Sequence, residues 1–91
     1  MRVLWSDEAQ ADLARIFEFN LAWSQTWAMR VDARLVERGE ALASSPFLGR
    51  PADRKDLRRL SVPDIQYVIF YRVIEDQVIV AHIYSSRENR A

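Results

Sequence analysis

The last third of the chain constrains the fold most. Three runs rich in β-branched and aromatic residues, at 57–62, 65–73 and 77–84, follow one another with only short reversals between them. Pro63-Asp64 and Glu75-Asp76 mark those reversals, since proline presets φ and aspartate bonds its own backbone in turns. Runs so closely spaced have room only for antiparallel pairing, as a meander. The middle run, from Ile65 through Tyr67-Val68-Ile69-Phe70-Tyr71 to Val73, is almost continuously apolar or aromatic, which predicts a strand covered on part of both faces. A sheet this small needs a second layer, and the first half of the chain supplies it.

Arg2-Val3-Leu4-Trp5 reads as a short edge strand, with Ser6 as an N-cap and Asp7 and Glu8 in the first helical turn, where acids favour the helix dipole. Ala9, Leu13, Ile16, Phe17 and Leu21 recur at helical spacing as one apolar stripe, with Asp12, Arg15 and Glu18 outside. Ser24 or Thr26 caps a second helix, whose stripe is Trp27, Val31, Leu35 and Leu42, widened by Ala28, Met29, Val36 and Ala43. The short connection sets the two helices antiparallel. Gly39 marks either a close backbone approach or early fraying, and Ser45 before Pro46 stops the helix. Phe47 and Leu48 are expected to fold back over the end of the hairpin, and the polar stretch 52–56 to be mobile. The expected architecture is a single α+β domain over residues 1–91. It has an N-terminal edge strand and an antiparallel helical hairpin packed on a small antiparallel sheet that ends in a three-strand meander.

Composition removes several chemistries. The chain has 91 residues and no cysteine, which excludes disulfides and thiolate metal sites. It has one histidine, so no histidine pair for zinc, and no glycine-rich phosphate loop. No cofactor or metal is expected. No apolar run approaches the roughly 20 residues needed to cross a bilayer, so a cytoplasmic protein without membrane contact is expected. Formal net charge is zero, a poor basis for general nucleic-acid binding. Residues 1–45 carry five arginines against seven acids, however, and residues 46–91 carry eight bases against six acids. Lys55 is the single lysine; the other bases are arginines, which can fork onto carboxylate or phosphate.

In order along the chain stand Trp5-Ser6-x-x-Ala9-x-x-Asp12-Leu13-x-x-Ile16, then Pro46-x-x-Gly49-Arg50-Pro51, then Leu57-Arg58-x-Leu60. Tyr67-Val68-Ile69-Phe70-Tyr71-Arg72-Val73 and Ile83-Tyr84-x-x-Arg87 complete the set. This set resembles the RelE/ParE superfamily of bacterial toxins from toxin–antitoxin operons, over essentially the whole chain. The Ile69-Phe70-Tyr71-Arg72-Val73 wording and the Gly49-Arg50-Pro51 turn look more like the ParE branch. That resemblance implies a toxin that poisons DNA gyrase through protein–protein contact and is neutralised by a cognate ParD-like antitoxin. The RelE branch implies instead a ribosome-dependent messenger RNA endoribonuclease. A third alternative is a non-toxic module that still binds antitoxin.

Metal-independent RNA cleavage needs a base, an acid and cations around the phosphate. The nuclease candidates are His82, Tyr84 and Arg87, with Arg58, Arg59 and Arg72. His82 is expected to alternate with Val80 and Tyr84 on one strand face, and Tyr71 to pack with its hydroxyl solvated. Val68 stands where the RelE resemblance would place an arginine, which favours the gyrase branch. The expected target-binding set is therefore Arg58, Arg59, Arg72, Tyr84 and Arg87, with Arg72 also a candidate ion pair with Glu75. Phe19, Trp23, Trp27 and Met29 exceed what one helical stripe buries. Phe19, Trp23 and Trp27, with Arg30, Arg34 and Arg38 at four-residue steps, form the expected antitoxin surface. For the three arginines the alternative is an ordinary solvated face balanced by Asp32, Glu37 and Glu40.

Overall fold

Ser6 starts the first helix by taking the Ala9 N–H on its hydroxyl at 3.0 Å, and Ser24 does the same for the second through Trp27 N–H at 3.1 Å. Each cap is worth about 1 kcal/mol. A computed structural model describes residues 1–54 and 56–87; Lys55 and residues 88–91 lie outside the described residues. The elements are β1 (Arg2–Trp5), α1 (Asp7–Leu21), α2 (Gln25–Glu40) with a 3₁₀ turn at Ala41–Ala43, β2 (Arg50–Pro51), β3 (Arg58–Val62), β4 (Tyr67–Ile74) and β5 (Gln77–Ser85). One five-stranded sheet runs in the order β1-β5-β4-β3-β2.

The α+β plan, the edge strand, the hairpin of helices and the meander all stand as expected. Two features of the sheet do not. β1 pairs with β5 parallel, Arg2 opposite Gln77 and Trp5 opposite Val80, so the sheet is mixed rather than antiparallel. The Arg50-Pro51 turn adds a two-residue strand beside Arg58 and Arg59. No local signal fixes the direction of β1, because a strand joined to the sheet through a helical hairpin can bond its free edge parallel or antiparallel.

The helices cover one face of the sheet. Ala9, Ile16, Val31, Leu35 and Leu42 meet Leu60, Val62, Ile69, Tyr71, Val78, Val80 and Ile83 in one apolar cluster. The first stripe ends early: Leu21 is exposed, and Asn20 takes the buried position instead. In α2, Trp27, Met29 and Val36 also stay largely outside the core. Gly39 marks a close approach, because a Cβ there would collide with the Trp5 indole. The helix does not fray at that point but tightens into its 3₁₀ turn, and the Trp5 indole N–H donates to the Glu40 carboxylate at 2.8 Å. β4 is covered on both faces, with Val68 and Ile69 both buried.

A bulge shapes β5. Phe70 pairs with His82 but Tyr71 pairs with Val80, leaving Ala81 as the extra residue. This corrects the expected alternation. Val80 belongs to the core with Val78, whereas the inserted residue turns His82 and Tyr84 to the open face and Ile83 to the core. Ser6 holds the bulge: its hydroxyl donates to the Ala81 carbonyl at 2.8 Å and its N–H to the Val80 carbonyl at 2.9 Å.

Candidate functional site

Two surfaces carry the candidate residues. The first lies where the tip of the helical hairpin meets the β3–β4 turn. Phe19, Trp23 and Trp27 are the aromatic surplus over the helical stripes, and the structure leaves Phe19 63%, Trp23 78% and Trp27 37% exposed. They line a groove of about 580 Å³ floored by Ile65 and Tyr67, with Arg87 on its far wall. Asn20 organises the floor. Its amide donates to the Ile16 carbonyl at 2.8 Å and the Tyr67 hydroxyl at 3.0 Å, and its carbonyl accepts the Trp27 indole N–H at 3.0 Å. The groove therefore presents aromatic faces, of which Trp27 and Tyr67 are fixed by hydrogen bonds to Asn20, a form suited to gripping a partner's apolar side chains. Asn20 was missed because an asparagine in an apolar stripe gives no local sign of where its amide will bond.

The three arginines of α2 do not act as one stripe. Arg34 donates to Asp64 at 2.9 Å and Glu37 at 2.8 Å. The hydrogen bond from Arg34 holds the Asp64 carboxyl below its ordinary 3.8, with a smaller contribution from the charge of Arg30, and the same bond raises the Arg34 pKa. Arg34 is thus committed to tying α2 to the β3–β4 turn; Glu37 is among the acids the solvated-face reading names, whereas Asp64 is not. Arg30 is exposed beside that turn, and Arg38 makes no ion pair among the described residues.

The second surface is the open face of the sheet. Arg59, Phe70, His82 and Tyr84 line a cleft of about 290 Å³ with Leu57 and Asp53 at its rim. Tyr84 meets Phe70 edge-on at 5.8 Å and stacks on His82 at 5.6 Å, while Arg59 lies 5.8 Å from the centre of the Phe70 ring. His82 Nδ1 stands 3.8 Å from Asp12, whose carboxylate also accepts the Ile83 N–H at 2.9 Å. Val68 is 1% exposed on this side, packed rather than presented.

The expected target-binding set divides among three places. Arg59, Arg72 and Tyr84 share the open face. Arg87 belongs to the aromatic groove instead. Arg58 points to the opposite face from Arg59, as neighbours on a strand must; it donates to the Gly49 carbonyl at 2.7 Å and lies 5.0 Å from the Phe47 ring centre. Arg72 pairs with Asp56 at 3.3 Å, not Glu75, because the tight β4–β5 turn carries Glu75 past its reach while the start of β3 comes alongside. The Tyr71 hydroxyl is buried rather than solvated. It donates to the Pro46 carbonyl at 2.8 Å and accepts the Gly49 N–H at 2.9 Å. Phe47 and Leu48 do not close the end of the hairpin but stay exposed, at 64% and 47%.

Among the described residues there is no cluster of three or more candidate metal-ligating side chains, and no helix long and apolar enough to cross a membrane.

Comparison with known proteins assigns this arrangement. A protein of Sinorhizobium fredii, a candidate toxin named Y4kP, is 32% identical over 87 residues, which is 96% of this chain and 91% of that one. The fold matches the chromosomal ParDE toxin–antitoxin system of P. aeruginosa with a TM-score of 0.85 at 22% identity, over 93% of this chain and 95% of that chain. The isolated RelE toxin of E. coli matches with a TM-score of 0.60 at 16% identity, over 99% of this chain and 86% of that one. A family model described as the ParE toxin of the type II toxin–antitoxin system, parDE, covers residues 3–90. With that match across nearly all of its length, the chain belongs to the ParE toxin family of type II toxin–antitoxin systems.

Proposed function

We propose that this ParE-family toxin inhibits growth in the cytoplasm by binding DNA gyrase, performing no covalent chemistry itself, and that a cognate ParD-like antitoxin neutralises it. The observation that carries the gyrase branch is Val68. Where the resemblance to RelE calls for a strand arginine, a buried valine closes the open face. Among the described residues on that face, Arg72 is engaged by Asp56, which leaves Arg59 and the loop residue Arg54 to surround a phosphate. A pentavalent phosphate needs denser positive charge than this. The observation favouring the RelE-like reading is that His82 and Tyr84 do share one cleft with Arg59.

An antitoxin partner is supported by the match to a ParDE system and by the aromatic groove, whose Phe19, Trp23 and Trp27 suit an amphipathic segment laid across the hairpin. Arg87 and Arg30 are the cations placed to meet its acids; Arg34 is already paired.

The deciding experiment is induction in cells with DNA integrity and messenger RNA followed together. The expected outcome is DNA breaks and a damage response with full-length messages. His82→Gln and Tyr84→Phe should leave growth inhibition nearly intact, whereas a nuclease relying on either would lose roughly 10²–10⁴ in rate. Codon-phased cuts in ribosome-bound messages, lost in either variant, would replace the gyrase reading with the nuclease. A wild-type chain that binds antitoxin without arresting growth would be the non-toxic module.

A further inference from the structure

The loop 46–51 exposes its two large apolar side chains, Phe47 at 64% and Leu48 at 47%, yet its backbone is held on both sides of Phe47. Leu48 N–H donates to the Ser45 carbonyl at 3.1 Å, and Tyr71 clamps both Pro46 and Gly49 from below. The Gly49 carbonyl receives Arg58, and Arg50-Pro51 is zipped to β3. Gly49 is required for space: a Cβ would stand 2.6 Å from the Arg59 carbonyl oxygen and 2.8 Å from the Tyr71 hydroxyl. Apolar side chains on a backbone this constrained lose little conformational freedom when a partner covers them.

The charge around the loop is one-sided. Arg50 and Arg54 are exposed with no ion pair among the described residues, and Asp56 is taken by Arg72, leaving Asp53 as the one uncommitted acid nearby. Arg58 is only partly satisfied: one Nη donates to Gly49, but Nε is enclosed without an acceptor. This end of the sheet is also separate from the aromatic groove. Tyr67 lies in the groove and Tyr71 under the loop, four residues along β4, or roughly 13 Å at the rise of a strand.

We infer that the loop 46–51 together with Arg58 is a docking surface for the toxin's protein target, and that it takes an acidic surface offering a carboxylate beside an apolar recess. This rests on the toxin reading above and goes further by locating target contact away from the antitoxin groove. A nucleic acid would match the arginines and could stack a base on Phe47, but would leave the aliphatic Leu48 beside it without a complement.

The test uses two exposed-site variants of the full chain, the double substitution Phe47→Ser with Leu48→Ser, and Arg50→Glu, each checked for folding by its thermal melt. Growth inhibition is measured against toxin level, and antitoxin affinity by calorimetry. Both variants should need about tenfold more toxin for the same arrest, as loss of a central contact implies. Antitoxin affinity should stay within about twofold of wild type, the range in which separate surfaces behave independently. Full toxicity in the folded double variant overturns the inference. So does loss confined to Arg50→Glu, which assigns the loop to a phosphate, and so does a parallel loss of antitoxin binding, which places the loop in the antitoxin interface. The gyrase reading fails separately, if the wild-type chain cuts messages instead of breaking DNA; the variants then still report whether the loop docks the target.

Discussion

Tyr71 shows how one side chain sets the position of residues far from it. Its ring is fully buried, and its hydroxyl bonds to groups 22 and 25 residues earlier, which no local pattern around Tyr71 could reveal. The sequence does identify Tyr71 as a core strand residue; what it lacks is the partner. Replacing it with phenylalanine keeps the packing but strands the Gly49 N–H and the Pro46 carbonyl, at a cost of about 1–3 kcal/mol. A Tyr71→Phe thermal melt should therefore fall by roughly 4–8 °C for each kcal/mol lost, and an unchanged melt would show that water replaces the hydroxyl. Glu75 illustrates the opposite case, a residue that works against its place. It sits in the two-residue β4–β5 turn at φ 55°, in the left-handed region that costs a residue with a Cβ about 1–2 kcal/mol. Glu75→Gly removes that strain and loses part of the gain to chain entropy. A net gain of up to about 1 kcal/mol is expected in urea unfolding.

Among the elements, those whose evidence is local were legible. The caps at Ser6 and Ser24, both helices and the three long strands follow from spacing and turn chemistry within a dozen residues. β1's parallel pairing and the Ala81 bulge were not, because both depend on where a distant segment arrives: β1 on the edge β5 leaves free, the bulge on Ser6 reaching the Ala81 carbonyl. The consequence reaches the candidate site. Without the bulge His82 and Tyr84 would face the core, so the open cleft is a product of one inserted residue. The clasp between α2 and the β3–β4 turn can be tested through its acid. Asp64 has its folded pKa depressed by Arg34, so the stabilisation is present above the ordinary 3.8 and disappears as the pH falls below it. Asp64→Asn should lower the melting temperature slightly at pH 7, and the difference should shrink as the pH falls below 3.8 and through the depressed folded pKa. A difference that persists at low pH would point to packing rather than charge.

At the scale of the molecule, the two surfaces proposed for partners sit about four residues apart along β4, the aromatic groove beside Tyr67 and the loop above Tyr71. The exposed aromatics were legible from the sequence as a surplus over what a stripe can bury; the grouping of Arg87 with them was not, since it depends on where β5 ends. Trp23→Ala and Trp27→Ala are expected to weaken antitoxin binding by tenfold or more in titration calorimetry, about the cost of losing one aromatic anchor. Of the two, Trp23→Ala is the cleaner test. Trp27 also bonds Asn20, so its loss disturbs the floor, whereas Trp23 stands clear of the core. The parallel pairing of β1 with β5 has a further consequence, for the order of synthesis. Leu4 and Trp5 have no strand partner until Ile79 and Val80 have been translated. A growing chain can form its helical hairpin early, but β1 must wait for β5, so the finished sheet closes late and by a long-range step of the kind that slows folding.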